Sequence, residues 1–207
     1  MTKTVITIID YGAGNIKSLT NALDRIDVAW KVTNNPKEVA AASRIIMPGV
    51  GSARAAMAEL RKRGLVEIIQ NTRAPFLGIC LGMQILFDYS EEGDTECLGI
   101  LKGRVKKFYE KRVKVPQMVW NSLRVQNSKC KVKSYRDIFD DIIDNSYFYF
   151  VHSYYCIPED KNIIIATANY GGEFCAAVQQ ENFYGVQFHP EKSGEAGMKL
   201  LARFCSL

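Results

Sequence analysis

Histidine is scarce in this chain. Only two occur in 207 residues, so any chemistry that needs an imidazole rests on His152 or His189. Long hydrophobic runs are also missing: none reaches the ~20 residues that cross a bilayer. The opening Met1-Thr2-Lys3-Thr4-Val5 passes straight into a β-like segment, without the apolar stretch of a signal peptide. The chain therefore reads as cytoplasmic, with no membrane partner. No Cys-x-x-Cys pair occurs among the six cysteines (Cys80, Cys97, Cys130, Cys156, Cys175 and Cys205), which argues against structural zinc. Their wide scatter in a chain this long also argues against a disulfide framework. No metal and no cofactor is expected. Linkers, low-complexity tracts and repeats are lacking too, and residues 1–207 read as a single domain.

Positive charge is in modest excess, +5 at neutral pH, and the excess is local. Lys102, Arg104, Lys106, Lys107, Lys111, Arg112 and Lys114 crowd one segment, and Lys129, Lys131 and Lys133 another. Lysines alternating with apolar residues read as the exposed faces of strands. A docking surface for an acidic protein is the second reading. Nucleic acid is excluded as a partner because no recognition motif accompanies the charge.

The first half alternates apolar β-like runs with helical patterns. Residues 5–9 read as a strand buried on both faces, and residues 15–26 as a helix with Ile16, Leu19, Leu23 and Ile26 on one stripe. Strands follow at 29–33, 44–47 and 75–79. Helical patterns fill 38–42, where Pro36 supplies a start, then 53–70 and 81–87. Repeated βα units predict an α/β fold: a mostly parallel sheet with helices on both faces. The second half is richer in strands, at 102–108, 119–125, 147–151, 163–168, 176–179 and 184–188, before a closing helix at 194–204.

Two motifs carry chemistry. In Gly185-Val186-Gln187-Phe188-His189-Pro190-Glu191 an apolar strand runs out at a proline, which cannot continue a central ladder. His189 then falls at the carboxyl edge of the sheet, where open α/β folds place their sites. Glu191, two residues on, falls on the same side and could accept the imidazole N–H, fixing the tautomer and stabilising the imidazolium. Alone, this tripeptide reads as well as a satisfied surface histidine. Gly78-Ile79-Cys80-Leu81-Gly82 has the form of a nucleophile elbow, a sharp strand-to-helix turn whose flanking glycines let the backbone crowd together. The thiol would sit at a helix start with the Leu81 N–H aimed at an incoming carbonyl oxygen. A buried core cysteine is the plainer alternative. A second oxyanion donor is expected from Pro48-Gly49-Val50-Gly51, at the end of the third strand.

Taken in order, Pro48-Gly49-Val50-Gly51, Gly78-Ile79-Cys80-Leu81-Gly82-Met83-Gln84 and Gly185 to Ser193 resemble the class I, triad-type glutamine amidotransferases. Three further segments are similar to one branch of them, the glutaminase subunit of imidazole glycerol phosphate synthase: Asp10 to Asn15, Trp120-Asn121, and Phe148 to Tyr155. The resemblance covers essentially the whole chain and implies a flavodoxin-like class I glutaminase fold. It also implies that Cys80, His189 and Glu191 are the triad, and that Val50 and Leu81 form the oxyanion hole. Gly49, Gln84, Glu92, His152, Ser153 and Tyr154 would line the glutamine site, with His152 a wall residue and not the base. The implied reaction turns glutamine into glutamate and ammonia. The ammonia would pass to a (β/α)₈ cyclase partner in a heterodimer, for the making of imidazole glycerol phosphate and AICAR in histidine biosynthesis. Asn15, Met118 and Trp120 match the partner interface. One segment departs: the family's usual Pro-His-Met-Gly-Trp-Asn is here Pro116-Gln117-Met118-Val119-Trp120-Asn121. Paralogues that supply ammonia for amidation of bacterial surface sugars are the alternative.

Overall fold

The architecture was read from a computed structural model describing residues 5–12, 14–126 and 138–207. Ala13, Cys130 and the cluster Lys129, Lys131 and Lys133 lie outside the described residues. The chain runs β1 (Ile6–Ile9), α1 (Ile16–Arg25), β2 (Trp30–Thr33), α2 (Pro36–Ala40), β3 (Ile45–Gly49), α3 (Ala53–Lys62), α4 (Val66–Gln70), β4 (Phe76–Cys80) and α5 (Leu81–Gln84). Strands then dominate: β5 (Phe87–Ser90), β6 (Thr95–Glu96), β7 (Leu101–Lys107), β8 (Gln117–Ser122), β9 (Arg124–Val125), β10 (Tyr147–His152), β11 (Tyr154–Pro158), β12 (Ile164–Asn169), β13 (Glu173–Gln180) and β14 (Phe183–Val186). Helix α6 (Gly194–Cys205) closes the chain.

The large sheet has the order β2-β1-β3-β4-β14-β13-β11-β7-β5-β6, with β12 branching from β13 and β9 pairing with β12. From β2 to β14 every pairing is parallel. Beyond β14 the ladders are antiparallel, apart from the parallel pair β5 and β7. Strands β1, β3, β4 and β14 are buried at every position, because helices cover both faces. One face packs Leu19 and Leu23 of α1 with Leu200, Leu201 and Phe204 of α6. The other packs Val39, Met57, Leu60 and Ile69 from α2, α3 and α4. Asn15 starts α1 by accepting a hydrogen bond from the Ser18 amide, and Asn35 and Ser52 do the same for α2 and α3.

Four local expectations needed correction. The helical pattern at 53–70 is two helices, broken where Gly64 takes φ +65°. The pattern at 81–87 is a single turn, because Phe87–Ser90 leaves to pair with β7 and β6. There Asp88 accepts from the Gly103 amide and the Lys102 ammonium, and the lysine together with the amide holds its carboxyl below the usual range against the opposing effect of burial. The pattern at 119–125 divides at the buried Leu123 between two sheets: β8 joins β10 in a separate two-stranded ribbon, whereas β9 joins β12. Finally, β11 and β5 pair in the sheet where no separate strand was anticipated. The basic stretch is a strand face as expected: Leu101, Gly103 and Val105 point inward, and Lys102, Arg104 and Lys106 outward.

Candidate active site

Sheet order reverses at β1, and such a reversal opens a crevice at the carboxyl ends of the strands. Three adjacent parallel strands deliver the motifs there. Gly49 ends β3 in register with Cys80, which ends β4; Val186 ends β14 in register with Ile79. The chain then carries Gln187, Phe188 and His189 past the edge of the sheet.

Cys80 occupies φ 56°, ψ −109°, a conformation that costs a non-glycine residue energy and is kept only where its surroundings enforce it. The enforcement is visible on both sides. A Cβ on Gly78 would lie 2.5 Å from the Gly82 carbonyl oxygen, and a Cβ on Gly82 would strike the carbonyl oxygen of Met47. Both glycines are needed because backbone approaches backbone. Tyr11, fully buried after β1, brings its hydroxyl beneath Gly49, and burial raises the pKa of that hydroxyl.

His189 Nδ1 lies 2.8 Å from Glu191 Oε1. The expected alternation along a strand is not the cause. Pro190–Lys192 is a 3₁₀ turn, which swings the carboxylate back against the ring. Burial disfavours the imidazolium, but hydrogen bonding and charge from Cys80 and Glu191 outweigh it and raise the His189 pKa to about 10. The sulfur acts on the ring in this way although Nε2 has no well-aligned hydrogen bond at rest among the described residues. His152 is the opposite case. Burial among Phe108, Phe150 and Phe174 lowers its pKa to about 4, while its Nδ1 donates to the Tyr154 carbonyl at 2.7 Å. It stays neutral, and a group this weakly basic suits a pocket wall better than a proton acceptor.

A cavity of about 270 Å³ opens above the thiol, lined by Val50, Gly51, Cys80, Leu81, Gln84, Glu92, Pro116, Val151, His152, Ser153 and Tyr154. A larger groove of about 740 Å³ lies at the amino ends of β3 and β4, away from every residue singled out above. Glu92 Oε2 accepts from the Ala53 amide at 2.7 Å, and burial raises its carboxyl despite that bond. Gln84 Nε2 donates at 3.0 Å both to the Tyr154 carbonyl and to Gln187 Oε1. Both its protons are thereby used, so Gln84 can offer a ligand only its oxygen.

Gln187 escaped the sequence reading. It is fully buried, and its Nε2 lies 3.6 Å from Cys80 Sγ. The signal was there: a lone polar residue in the apolar run 184–188. Met118 and Trp120, by contrast, stand 60% and 52% exposed on β8, so Trp120 is no core residue. Asn15 is half-buried, and its side-chain oxygen serves the helix cap. Gln117 is fully buried opposite His152, and neither atom of its amide has a hydrogen-bond partner among the described residues. Among the described residues no group of His, Cys, Asp and Glu could hold a metal, and no helix is long and apolar enough to cross a membrane.

A thiol on a strained elbow, beside an imidazole held by a carboxylate, is an arrangement for acyl transfer through a covalent intermediate. The chain belongs to the class I glutamine amidotransferases, whose family model, glutamine amidotransferase class-I, matches residues 7–206. Within that class it is 47% identical to imidazole glycerol phosphate synthase subunit HisH of Dehalococcoides mccartyi, over 97% of this chain and 96% of the relative. It is 46% identical to subunit HisH of Haemophilus influenzae, with the same coverage. The structure of PurLQS from Thermotoga maritima shares the fold, with a TM-score of 0.67 at 17% identity over 99% of each chain.

Proposed function

We infer that this chain is the glutaminase subunit of an imidazole glycerol phosphate synthase, hydrolysing glutamine with Cys80, His189 and Glu191. The observation that carries the reading is the meeting of Cys80 with the His189–Glu191 pair at the ends of β4 and β14, beneath a cavity of about 270 Å³. The Cys80 thiolate attacks the side-chain amide carbon. Amides of Leu81 and Val50 receive the charge that develops on the carbonyl oxygen. The His189 imidazolium protonates the departing nitrogen, ammonia leaves, and a γ-glutamyl thioester remains. Neutral His189 then takes a proton from water, hydroxide adds to the thioester, and the intermediate expels the thiolate beside the imidazolium as the product releases its carboxyl proton and leaves as glutamate. Glu191 keeps Nδ1 protonated throughout. Glu92 and the Gln84 oxygen suit the ammonium of the substrate, and Gly49, His152, Ser153 and Tyr154 shape its slot.

The partner is a (β/α)₈ cyclase docked against the rim of this cavity. Met118, Trp120 and Tyr147 form an exposed apolar strip on one face of the β8–β10 ribbon. Trp120 meets Tyr149 edge-on at 6.0 Å, and Lys192 lies over the other ring at 5.8 Å. Large apolar side chains beside a cation have the character of interface anchors. Ammonia is mostly protonated near neutral pH and is then no nucleophile, so a sealed contact preserves it. The test is glutamate release from glutamine by the chain with a histidine-pathway cyclase, with and without the acceptor. Stimulation by the acceptor and a one-to-one complex are expected. No complex and no glutamate would overturn the reading. Stimulation only by the synthase of an amidated surface sugar would shift it to that pathway.

A further inference from the structure

We propose that Gln187 is a catalytic residue whose side-chain amide donates a hydrogen bond to the Cys80 sulfur, and that Gln84 sets the direction of that donation. The proposal rests on the glutaminase reading and adds to its machinery.

Chemically, an amide side chain can present either its oxygen or its nitrogen to a neighbour, and the choice is settled by what the other end meets. The chain of contacts begins at a group that cannot be reversed. The Tyr154 carbonyl is an acceptor only, so the end of Gln84 facing it at 3.0 Å must be Nε2. That same nitrogen also faces Gln187 at 3.0 Å, so the end of Gln187 it meets must be Oε1. Gln187 is left with its Nε2 toward sulfur, at 3.6 Å. Reversing Gln187 alone would set two NH₂ groups against each other. Reversing both would set the Gln84 oxygen against the Tyr154 carbonyl. Because Gln84 and Gln187 are 4% and 0% exposed, water is poorly placed to absorb either mismatch.

A donor at the sulfur matters because its other polar neighbour works the opposite way. The Val151 carbonyl lies 3.9 Å from Cys80 Sγ and can accept from a thiol but not stabilise a thiolate. Titratable groups coupled to the sulfur are His189, Tyr11 and Cys156. Burial keeps the last two protonated, so His189 is the one charged neighbour among them. Gln187 therefore supplies a fixed dipole to the same sulfur that His189 serves with a proton. It also holds the sulfur as thioester formation removes its charge and hydrolysis returns it. Gln84, acting through Gln187, is a positioning residue that ties the sulfur to the pocket wall at Tyr154.

The experiment measures the rate at which iodoacetamide alkylates Cys80, followed by peptide mass spectrometry across pH, in the wild type, Gln187→Leu and Gln187→Glu. Alkylation does not require glutamine, so this result stands apart from the substrate assignment. Gln187→Leu removes the donor without adding charge, whereas Gln187→Glu keeps an acceptor for Gln84 and sets a carboxyl group against the sulfur in place of the amide. In both variants the profile should move to higher pH, with the rate near neutrality falling about tenfold. Glutamine hydrolysis should lose kcat by a similar factor with KM little changed. Gln84→Met keeps Gln187 but frees its amide to turn, and a smaller move in the same direction is expected. This third variant carries the test if the Gln187 variants fail to fold. An unmoved alkylation profile in folded variants, or a loss confined to KM, would overturn the proposal.

Discussion

His189 and Glu191 are held 2.8 Å apart by one 3₁₀ turn, with side chains 3% exposed each, and the pair faces Cys80 across the boundary between β14 and β4. Raising the His189 pKa to about 10 makes the imidazolium the resting form at neutral pH. In the proposed reaction the group that waits beside the Cys80 sulfur is thus an acid, placed to protonate departing ammonia.

The ionisation of His189 fixes a pH dependence with a definite sign. Its pKa is raised from 6.5 to about 10 on folding, so the folded state holds the proton more tightly than the unfolded chain. The resulting stabilisation is fully present below about pH 6.5 and is lost as pH rises towards about 10. The melting temperature should fall across that window, and less steeply in Glu191→Gln. The alkaline limb of glutamine hydrolysis should move to lower pH in the same variant. Its kcat should fall by roughly 10⁴-fold or less, and by less than in His189→Ala. His152→Ala should keep measurable activity. Equal loss in the two histidine variants, both folded, would contradict the assignment of the base.

Removal of the nucleophile should separate strain from chemistry. Cys80→Ala is expected to abolish hydrolysis, as loss of a nucleophile removes several orders of magnitude in rate. Cys80→Gly should do the same, yet it relieves the positive φ of 56°. Such strain is worth roughly 1–3 kcal/mol, so the glycine variant should melt several degrees above the alanine variant. Burial pushes Cys97, Cys175 and Cys205 up to about 12, so a glutamine-like electrophile should modify Cys80 in preference to these. Modification at Cys97 or Cys175 would refute the choice of nucleophile.

Gln117 offers a test of stability. Its buried amide makes no hydrogen bond among the described residues, and an amide left so costs about 1–3 kcal/mol. Gln117→Met keeps the length of the side chain and removes the polar atoms. A rise in melting temperature of at least about 2–4 °C is expected, with the ribbon intact. A fall would show that the amide has a partner in solution.

The exposed strip on β8 predicts a graded effect on the partner. Trp120→Ala should weaken the complex with the cyclase by about 2 kcal/mol or more, ~30-fold in Kd, while alkylation of Cys80 in the isolated chain is unchanged. Val119, between Met118 and Trp120 but on the opposite face of β8, is 38% exposed where the family resemblance calls for glycine. Val119→Gly should tighten binding to a cyclase shaped for the smaller residue. Titration of each variant, read by complex formation and glutamate release, checks both.

Much of this protein was legible in its sequence because the cues were local. The two-sided apolar run Ile6–Ile9, the stripe of α1 and the proline at 190 place strand, helix and strand end with no reference to distant residues. The glycines flanking Cys80 marked the elbow because only a residue without Cβ tolerates backbone at such range. Tertiary structure decided the rest. Leu81 to Ser90 carries an apolar pattern that suits helix or strand, and pairing with β7 and β6 decides for strand from Phe87 onward. The resemblance put Trp120 at an interface with a core tryptophan as the alternative, and its exposure was decided only when β8 left the main sheet. Which histidine carries charge was beyond the sequence too, since desolvation by three phenylalanines and support from a carboxylate act through space. Gln187 was hidden for the same reason: its meaning lies in Gln84 and Cys80, both more than a hundred residues away along the chain.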